Sequence, residues 1–364
     1  MAKIKILVVD DSVVGRRLLS NLLDGDPDLE VVGTAPNRKI ALAKISQVSP
    51  DLIVLDAEMP EISSLEMLAA IREQSKNIPV IMFGAIAELG ASATLDALSL
   101  GGTDYVTVPH KINRNEAAIQ QLREQLITKI KKLAKGGFTP NLGFLKISET
   151  TDKPAENQPN SLSFHSGFNN IKSQVEIVAF GVSTGGPNAL ETVLEKLPAD
   201  FRVPIVIVQH MPPVFTTRLA ARLDQKCQIR VQEAATGAIL EPGVAWIAPG
   251  DYHMVLEKRG FAVQIRTNQE PLENSCRPAV DVLFRSTAKI YRAGVLAVML
   301  TGMGQDGLVG CQNIREAGGK IIVQDEASSV VWGMPGSVAN AGLADRVIPL
   351  DKIAGEIIDR VNSQ

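Results

Sequence analysis

The sequence predicts an α/β protein of two domains, each built on a mostly parallel sheet. Three observations predict it. Short β-rich apolar runs alternate with amphipathic stretches, the pattern of βα units. The length of 364 residues exceeds what one hydrophobic core usually serves. The alternation is broken between Gly136 and Ser173 by a stretch rich in Pro, Asn, Ser and Thr, including ETTDKPAENQPNS. The expected division is a first domain over 1–134, a flexible linker over 135–174 in which Phe164 and Phe168 offer docking points, and a second domain over 175–364.

In the first domain the strand-like runs are Ile4–Val9, Glu30–Ala35, Leu52–Leu55, Val80–Phe83 and Asp104–Val108. Amphipathic stretches follow them over 12–24, 37–47, 63–74, 90–100 and 115–134. Five such units imply a doubly wound parallel sheet. Acids stand where two of these strands end: Asp10 and Asp11 after the first, Asp56 after the third. In that fold the two ends are neighbours, and the carboxylates repel one another unless a cation joins them. Hard oxygen ligands suit Mg²⁺, and the backbone carbonyl of Glu58 offers one more. A single acid after a strand reads as a solvated loop residue. Three at matching ends, with Met59-Pro60 after Asp56, read as a cation pocket.

In the second domain Ile177–Phe180, Ile205–Val208 and Val295–Leu300 read as buried parallel strands. Between the second and third, CQIRVQEA, GVAWIAPG, YHMVLEKRG and FAVQIRT look like shorter, turn-linked strands, some of them antiparallel. Past the three buried runs come Ser183 in GVSTGGP, His210 in QHMPP and Asp306 in TGMGQDG. Ligands of such sheets bind beyond the carboxyl ends of the strands, so the three converge on one rim as nucleophile, base and orienting acid. Gly181-x-Ser183-x-Gly185 suits a tight turn into a helix that Pro187 opens. The plainer alternative is a serine that merely caps that helix. The order Ser–His–Asp differs from that of α/β-hydrolases, so that fold is not implied. Of the four histidines, His110 falls in the first domain and His165 in the linker. His253 sits inside a strand-like stretch and reads as structural, which leaves His210 as the base.

A rival reading uses the same residues. Gly302-x-Gly304-x-x-Gly307 follows a strand and Asp325 lies further on, the outline of a nicotinamide-dinucleotide fingerprint and hence of an oxidoreductase. The negative charge of Asp306 inside that loop would crowd a pyrophosphate, and the fingerprint stands far from the start of its domain.

Composition excludes other classes. Hydrophobic content of 45% with 21% charge is ordinary for a globular protein. A net charge of −3 and the lack of a basic patch argue against nucleic acid. No apolar run reaches the ~18 residues of a membrane span. MAKIKILVVDD reads as a first strand, not a signal peptide. Cys227, Cys276 and Cys311 are odd in number and widely spaced, which suits neither zinc nor disulfides. They read as inert core thiols in a cytoplasmic protein.

Two resemblances sharpen this. VVDDS, LDAEMP and GGTDYV resemble the receiver domain of two-component response regulators. The resemblance implies phosphorylation at Asp56, with Asp10 and Asp11 helping to hold Mg²⁺ and a histidine kinase as phosphodonor. Two positions depart from that family: Gly84 stands where a Ser or Thr closes the fourth strand, and Val108 where a Lys closes the fifth. GVSTGGP, VQHMPPVFT, APGDYHM, CRPAVDVLFRS, LTGMGQDG and QDEASSVVWGMPGSV resemble the catalytic domain of the bacterial chemotaxis protein-glutamate methylesterases. That implies hydrolysis of glutamyl methyl esters on methyl-accepting chemotaxis receptors, with release of methanol, and deamidation of receptor glutamines. Ser183, His210 and Asp306 carry the triad, with backbone amides near Thr184 and Met303 for the oxyanion and no cofactor for hydrolysis. Arg277 is either a substrate contact or a solvated helix cap. A non-catalytic signalling scaffold is a third reading, against which the intact triad argues.

Overall fold

The computed structural model describes residues 2–59, 64–85, 88–108, 116–135 and 174–363. Residues 136–173 of the expected linker, with Phe164, His165 and Phe168, lie outside them, as do Pro60 and His110. The first unit runs β1 (Ile4–Val9), α1 (Val13–Leu23), β2 (Leu29–Ala35), α2 (Arg38–Val48), β3 (Leu52–Asp56), α3 (Ser64–Gln74), β4 (Val80–Ala85), α4 (Glu88–Ser99), β5 (Asp104–Val108) and α5 (Glu116–Lys135). Its strands pair in parallel in the order β2-β1-β3-β4-β5. The apolar runs of β1 and β3 are fully buried, as strands covered by helices on both faces must be. Polar caps start the helices: Ser12 accepts the Gly15 amide at 3.3 Å before α1, and Asn37 accepts the Ile40 amide at 3.0 Å before α2. The carboxyl ends of β1 and β3 are adjacent, which is what gathers Asp10, Asp11 and Asp56.

The second unit runs β6 (Ile177–Val182), α6 (Gly186–Leu194), β7 (Ile205–Gln209), α7 (Phe215–Lys226), β8 (Arg230–Glu233), β9 (Val244–Ile247), β10 (His253–Arg259), β11 (Ala262–Asn268), α8 (Val280–Tyr291), β12 (Val295–Met299), α9 (Leu308–Glu316), β13 (Lys320–Gln324), α10 (Met334–Asn340), β14 (Arg346–Ile348) and α11 (Leu350–Asn362). Seven strands make a parallel sheet in the order β14-β13-β12-β6-β7-β9-β8. The short strands of the middle stretch divide between two roles. β8 and β9 extend the main sheet in parallel, while β10 and β11 form a separate antiparallel hairpin. β6 comes first in the chain yet lies at the centre, with β7 on one side and β12 on the other. The chain winds outward on one side and then returns to the other. That makes the end of β6 a topological switch point with an open crevice.

The two units touch at this crevice. The Tyr105 ring of β5 stacks on Phe215 of α7, centroids 5.1 Å apart. Asn188 of α6 donates to the Leu98 carbonyl of α4 at 2.7 Å, and Arg222 of α7 pairs with Asp96 of α4 at 2.5 Å.

Candidate active site

Ser183 follows β6, His210 follows β7, and Asp306 lies in the loop after β12, so three adjacent central strands present them. The serine turn is built by close approach. Gly185 has φ +77, and a side chain there would strike Val330. A Cβ on Gly302 would lie 2.9 Å from the Ser183 Cβ, so the loop of Asp306 packs directly against the serine. The Ser183 amide donates to the Thr301 carbonyl at 3.1 Å, and the Gln209 side chain donates to the Ser183 carbonyl at 2.9 Å. Gly185 is the N-cap of α6 and no side chain caps that helix, so the capping role considered for Ser183 does not hold.

The His210 amide donates to the Val182 carbonyl at 3.0 Å, which ties the end of β7 to the end of β6. Its ring Nε2 lies 2.8 Å from Asp306 Oδ2. The other partners of Asp306 fix its orientation. Oδ2 also accepts the Val280 amide at 2.7 Å, and Oδ1 accepts the Asp281 amide at 3.1 Å and Asn274 Nδ2 at 2.8 Å. Those two amides open α8, so the carboxylate sits on a helix N-terminus where negative charge is favoured. Burial alone would raise the Asp306 carboxyl, but the bonds from His210 and the two amides outweigh it and hold it below the usual carboxylate range. For His210 burial acts to lower the imidazole, and its contacts with Asp306 and Cys276 override this and make it more basic than an ordinary histidine.

A carboxylate can only accept, so Nε2 carries the proton shared with Asp306 and the basic lone pair is on Nδ1. Nδ1 faces Cys276 Sγ at 3.7 Å. The structure therefore joins His210 to Asp306 directly. Among the described residues no hydrogen bond links Ser183 Oγ to His210, an arrangement that in many hydrolases tightens only with substrate. Among the same residues the Thr184 and Met303 amides donate to no acceptor, which leaves both available to an oxyanion.

The other singled-out residues fall in place as follows. His253 is buried, accepting the Ala279 amide at Nδ1 (3.2 Å) and contacting the Pro271 carbonyl from Nε2 (3.0 Å), a satisfied structural histidine. Arg277 neither caps α8, whose N-cap is Ala279, nor lies free in solvent. Its guanidinium binds Asp251 at 2.6 Å and the carbonyls of Gln269 and Glu270 at 3.2 and 3.0 Å, fastening two loops together. Asp325 accepts the Ser328 amide and hydroxyl at 3.0 and 2.6 Å. The one acid of the dinucleotide outline is thus held by its own loop, and Asp306, whose charge speaks against that outline, is bonded to His210. The cysteines need correction: only Cys311 is a fully buried core thiol, and Cys276 stands beside the His210 ring. Asn274 carries no sequence signal beyond standing three residues before Arg277, and Cys276, expected as a core thiol, lies instead against the His210 ring.

In the first unit, ligand atoms of Asp10, Asp11 and Asp56 lie within 4.8 Å of one another. Burial, helped by repulsion from Asp10, Asp11 and Glu58, pushes Asp56 up to about 6. Burial also raises Asp10. Crowded, desolvated oxygens of this kind fit a divalent cation. Gly84 brings no side chain to this rim, and a Cβ there would meet the Ala57 Cβ at 2.9 Å. Val108 is packed against the core and brings no charge.

The contact between the units lies on the serine. Thr184 Oγ1 donates to Asp104 Oδ2 at 2.9 Å, and the same carboxylate oxygen pairs with Lys129 of α5 at 2.8 Å. Tyr105 OH reaches the His210 carbonyl at 3.5 Å. A narrow cleft has Gly102, Thr103 and Tyr105 on one wall and Ser183, Gly185 and Asn188 on the other. Among the described residues no helix is long and apolar enough to cross a membrane.

Comparison with known proteins agrees with both halves. The family model for the CheB methylesterase matches residues 178–357, and that for the response regulator receiver domain matches residues 6–120. A protein-glutamate methylesterase/protein-glutamine glutaminase of Trichodesmium erythraeum is 56% identical over 363 residues, covering 99% of this chain and all of that one. A protein of the same name from a Nocardioides species is 46% identical, covering the whole of this chain and 97% of its own. The crystal structure of the Thermotoga maritima CheB methylesterase catalytic domain matches with a TM-score of 0.50 at 43% identity, covering 51% of this chain and 98% of that one. A receiver and a methylesterase domain on one chain, aligned end to end with such relatives, place this protein in the protein-glutamate methylesterase/protein-glutamine glutaminase family.

Proposed function

We propose that the chain hydrolyses glutamyl methyl esters on the cytoplasmic helical region of methyl-accepting chemotaxis receptors, and deamidates glutamines there, through Ser183, His210 and Asp306. The observation that carries this reading is the Nε2 bond of His210 to an Asp306 carboxylate pinned at the start of α8. It leaves Nδ1 as the base, the reverse of the ring usage in chymotrypsin-like triads. Ser183 Oγ attacks the ester carbonyl as its proton passes to Nδ1. The oxyanion meets the Thr184 and Met303 amides. Nδ1 then returns the proton to the departing methoxide, giving methanol. Water, deprotonated by the same nitrogen, cleaves the acyl-serine. A glutamine amide follows the same course and releases ammonia. Asp306 holds the ring and stabilises its cationic form throughout.

The receiver supplies control. Asp10, Asp11, Asp56 and the Glu58 carbonyl would hold Mg²⁺, which when bound neutralises the acid cluster and the phosphoryl oxygens. Asp56 is the acceptor, with a chemotaxis histidine kinase as donor. Docked as it is, with Asp104 on Thr184 and Tyr105 on the His210 loop, the receiver obstructs the serine. The test is methanol release from methylated receptors with and without Ser183→Ala. The reading expects a loss of ~10⁴-fold or more. Retention of more than about a tenth of the activity removes Ser183 from the mechanism.

A further inference from the structure

The basic nitrogen of the active site already has a thiol beside it. Cys276 Sγ lies 3.7 Å from His210 Nδ1, on the face opposite the Asp306 bond. The thiol is positioned, not adrift. Its turn is closed by two backbone bonds, Glu273 amide to Cys276 carbonyl at 3.1 Å and Cys276 amide to Glu273 carbonyl at 2.9 Å. Two successive residues of that turn, Asn274 and Ser275, hold left-handed backbone at φ 52 and 62. Asparagine takes that conformation readily, and the Asn274 side chain ties the turn to two acids, donating to both Asp306 Oδ1 and Asp281 Oδ2 at 2.8 Å. The network that orients the triad acid thus also aims Cys276 at the triad base.

The other two thiols differ. Cys311 is fully buried, and burial pushes Cys227 up to about 12. Among the described residues only Cys276 has an imidazole nitrogen as its partner. A thiol that hands its proton to a neighbouring base becomes a nucleophile.

We propose that Cys276 is an oxidisable active-site thiol, and that hydroperoxides silence the hydrolase by oxidising it. The inference rests on the reading of His210 as the catalytic base. Cys276 gives its proton to Nδ1 and the sulfur attacks one peroxide oxygen. The O–O bond breaks, and the leaving hydroxide or alkoxide takes the proton from Nδ1 and departs as water or an alcohol. Sulfur is oxidised to a sulfenic acid and the hydroperoxide is reduced. The new S–OH donates to Nδ1 and stands where the Ser183 proton must arrive. Two equivalents of a small thiol reverse the change, the first forming a mixed disulfide with loss of water and the second releasing Cys276.

The test uses the full chain treated with hydrogen peroxide and then dithiothreitol, each variant compared with its own untreated rate. The wild type should lose at least about tenfold in methanol release and recover with the reductant. Cys276→Ser should keep most of its own rate, and Cys227→Ser should remain sensitive. Equal peroxide sensitivity of Cys276→Ser and wild type overturns the proposal. A second arm needs no hydrolysis. Iodoacetamide should alkylate Cys276 first, located by peptide mass, and His210→Ala should slow that step about fivefold or more. A Cys276 that resists alkylation, or that reacts equally fast without His210, overturns the proposal even if Cys276→Ser is inactive. Should His210→Ala retain hydrolysis, the triad reading falls, while the alkylation rates still report on the thiol pair.

Discussion

Four hydrogen bonds converge on Asp306, and between them they divide three jobs. The Val280 and Asp281 amides keep the carboxylate charged, Asn274 fixes its plane, and His210 receives the result. Asp306→Asn replaces an acceptor by an amide that presents a donor to some of these donors, so the ring loses its tautomer. We expect a fall of ~10²-fold or more in methanol release with little change in fold. The Ser183→Ala/His210→Ala double variant should be little worse than either single one, since the residues act as a unit. Multiplication of the two defects would count against a shared triad. Cys276 leaves a separate mark on the pH profile. Its contact raises His210, so its removal lowers the pKa at which the base becomes free. Because the base must be neutral, the rising limb of kcat/KM in Cys276→Ala should move to lower pH, by about half a unit or more. An unmoved limb would show that Cys276 does not touch the working base. At this scale Ser183, His210 and Asp306 were legible because each is a polar residue in the loop just past a buried run, and histidine is scarce. Asn274 and Cys276 were not, since they act through a turn with no periodicity, folded onto a carboxylate distant in the chain.

Strand ends gather the chemistry in both sheets, by the same logic with different outcomes. In the second sheet the switch point at β6 places Ser183 on the strand between those that carry His210 and Asp306. In the first, β1 and β3 bring three carboxylates together with no base among them. Asp56 is raised to about 6, so between its ordinary value of 3.8 and that point the folded receiver binds the extra proton. Its contribution to stability therefore falls as pH rises through this window, and a bound cation restores it above the window. Mg²⁺ should raise the melting temperature at pH 7.5 and much less at pH 5, with Asp56→Asn abolishing most of the difference. A cation shift that is the same at both pH values would show that these acids are not the ligands. The long elements were readable from β-branched runs and helical periodicity. β8 and β9 were recognisable as strands, but nothing in four-residue segments says with which neighbour they pair or in which direction. β14, with Arg346 and Val347 exposed, has no apolar run to betray it.

At the scale of the molecule, the receiver unit packs against the loops that carry Ser183 and His210. The Asp104 carboxylate is shared by Lys129 of its own unit and by Thr184 next to the serine, so undocking costs Thr184 a buried partner but leaves the ion pair intact. A chain starting near Ser173 should therefore hydrolyse faster than the full chain at equal folded fraction. The Thermotoga maritima catalytic domain, solved by itself, shows that such a unit stands alone in a relative. Equal rates would mean that the docked face does not restrain the serine. A phosphoryl group on Asp56 shifts the docked–undocked balance only by interacting differently with the two states. Receivers usually draw that difference from a hydroxyl closing the fourth strand and an ammonium closing the fifth. Here those places hold Gly84 and Val108, and the Ala57 Cβ occupies the space a side chain at 84 would need. We therefore expect Asp56 to accept phosphate from a small donor with Mg²⁺, yet methanol release to rise by less than about twofold. Val108→Lys should restore part of the response, and Gly84→Ser should add to it only with Ala57→Gly, which clears the clash. A large activation of the unaltered chain that disappears in Asp56→Asn would show that another element reads the phosphate. The Asp104–Lys129 pair, already joined to Thr184, would then be the first place to look.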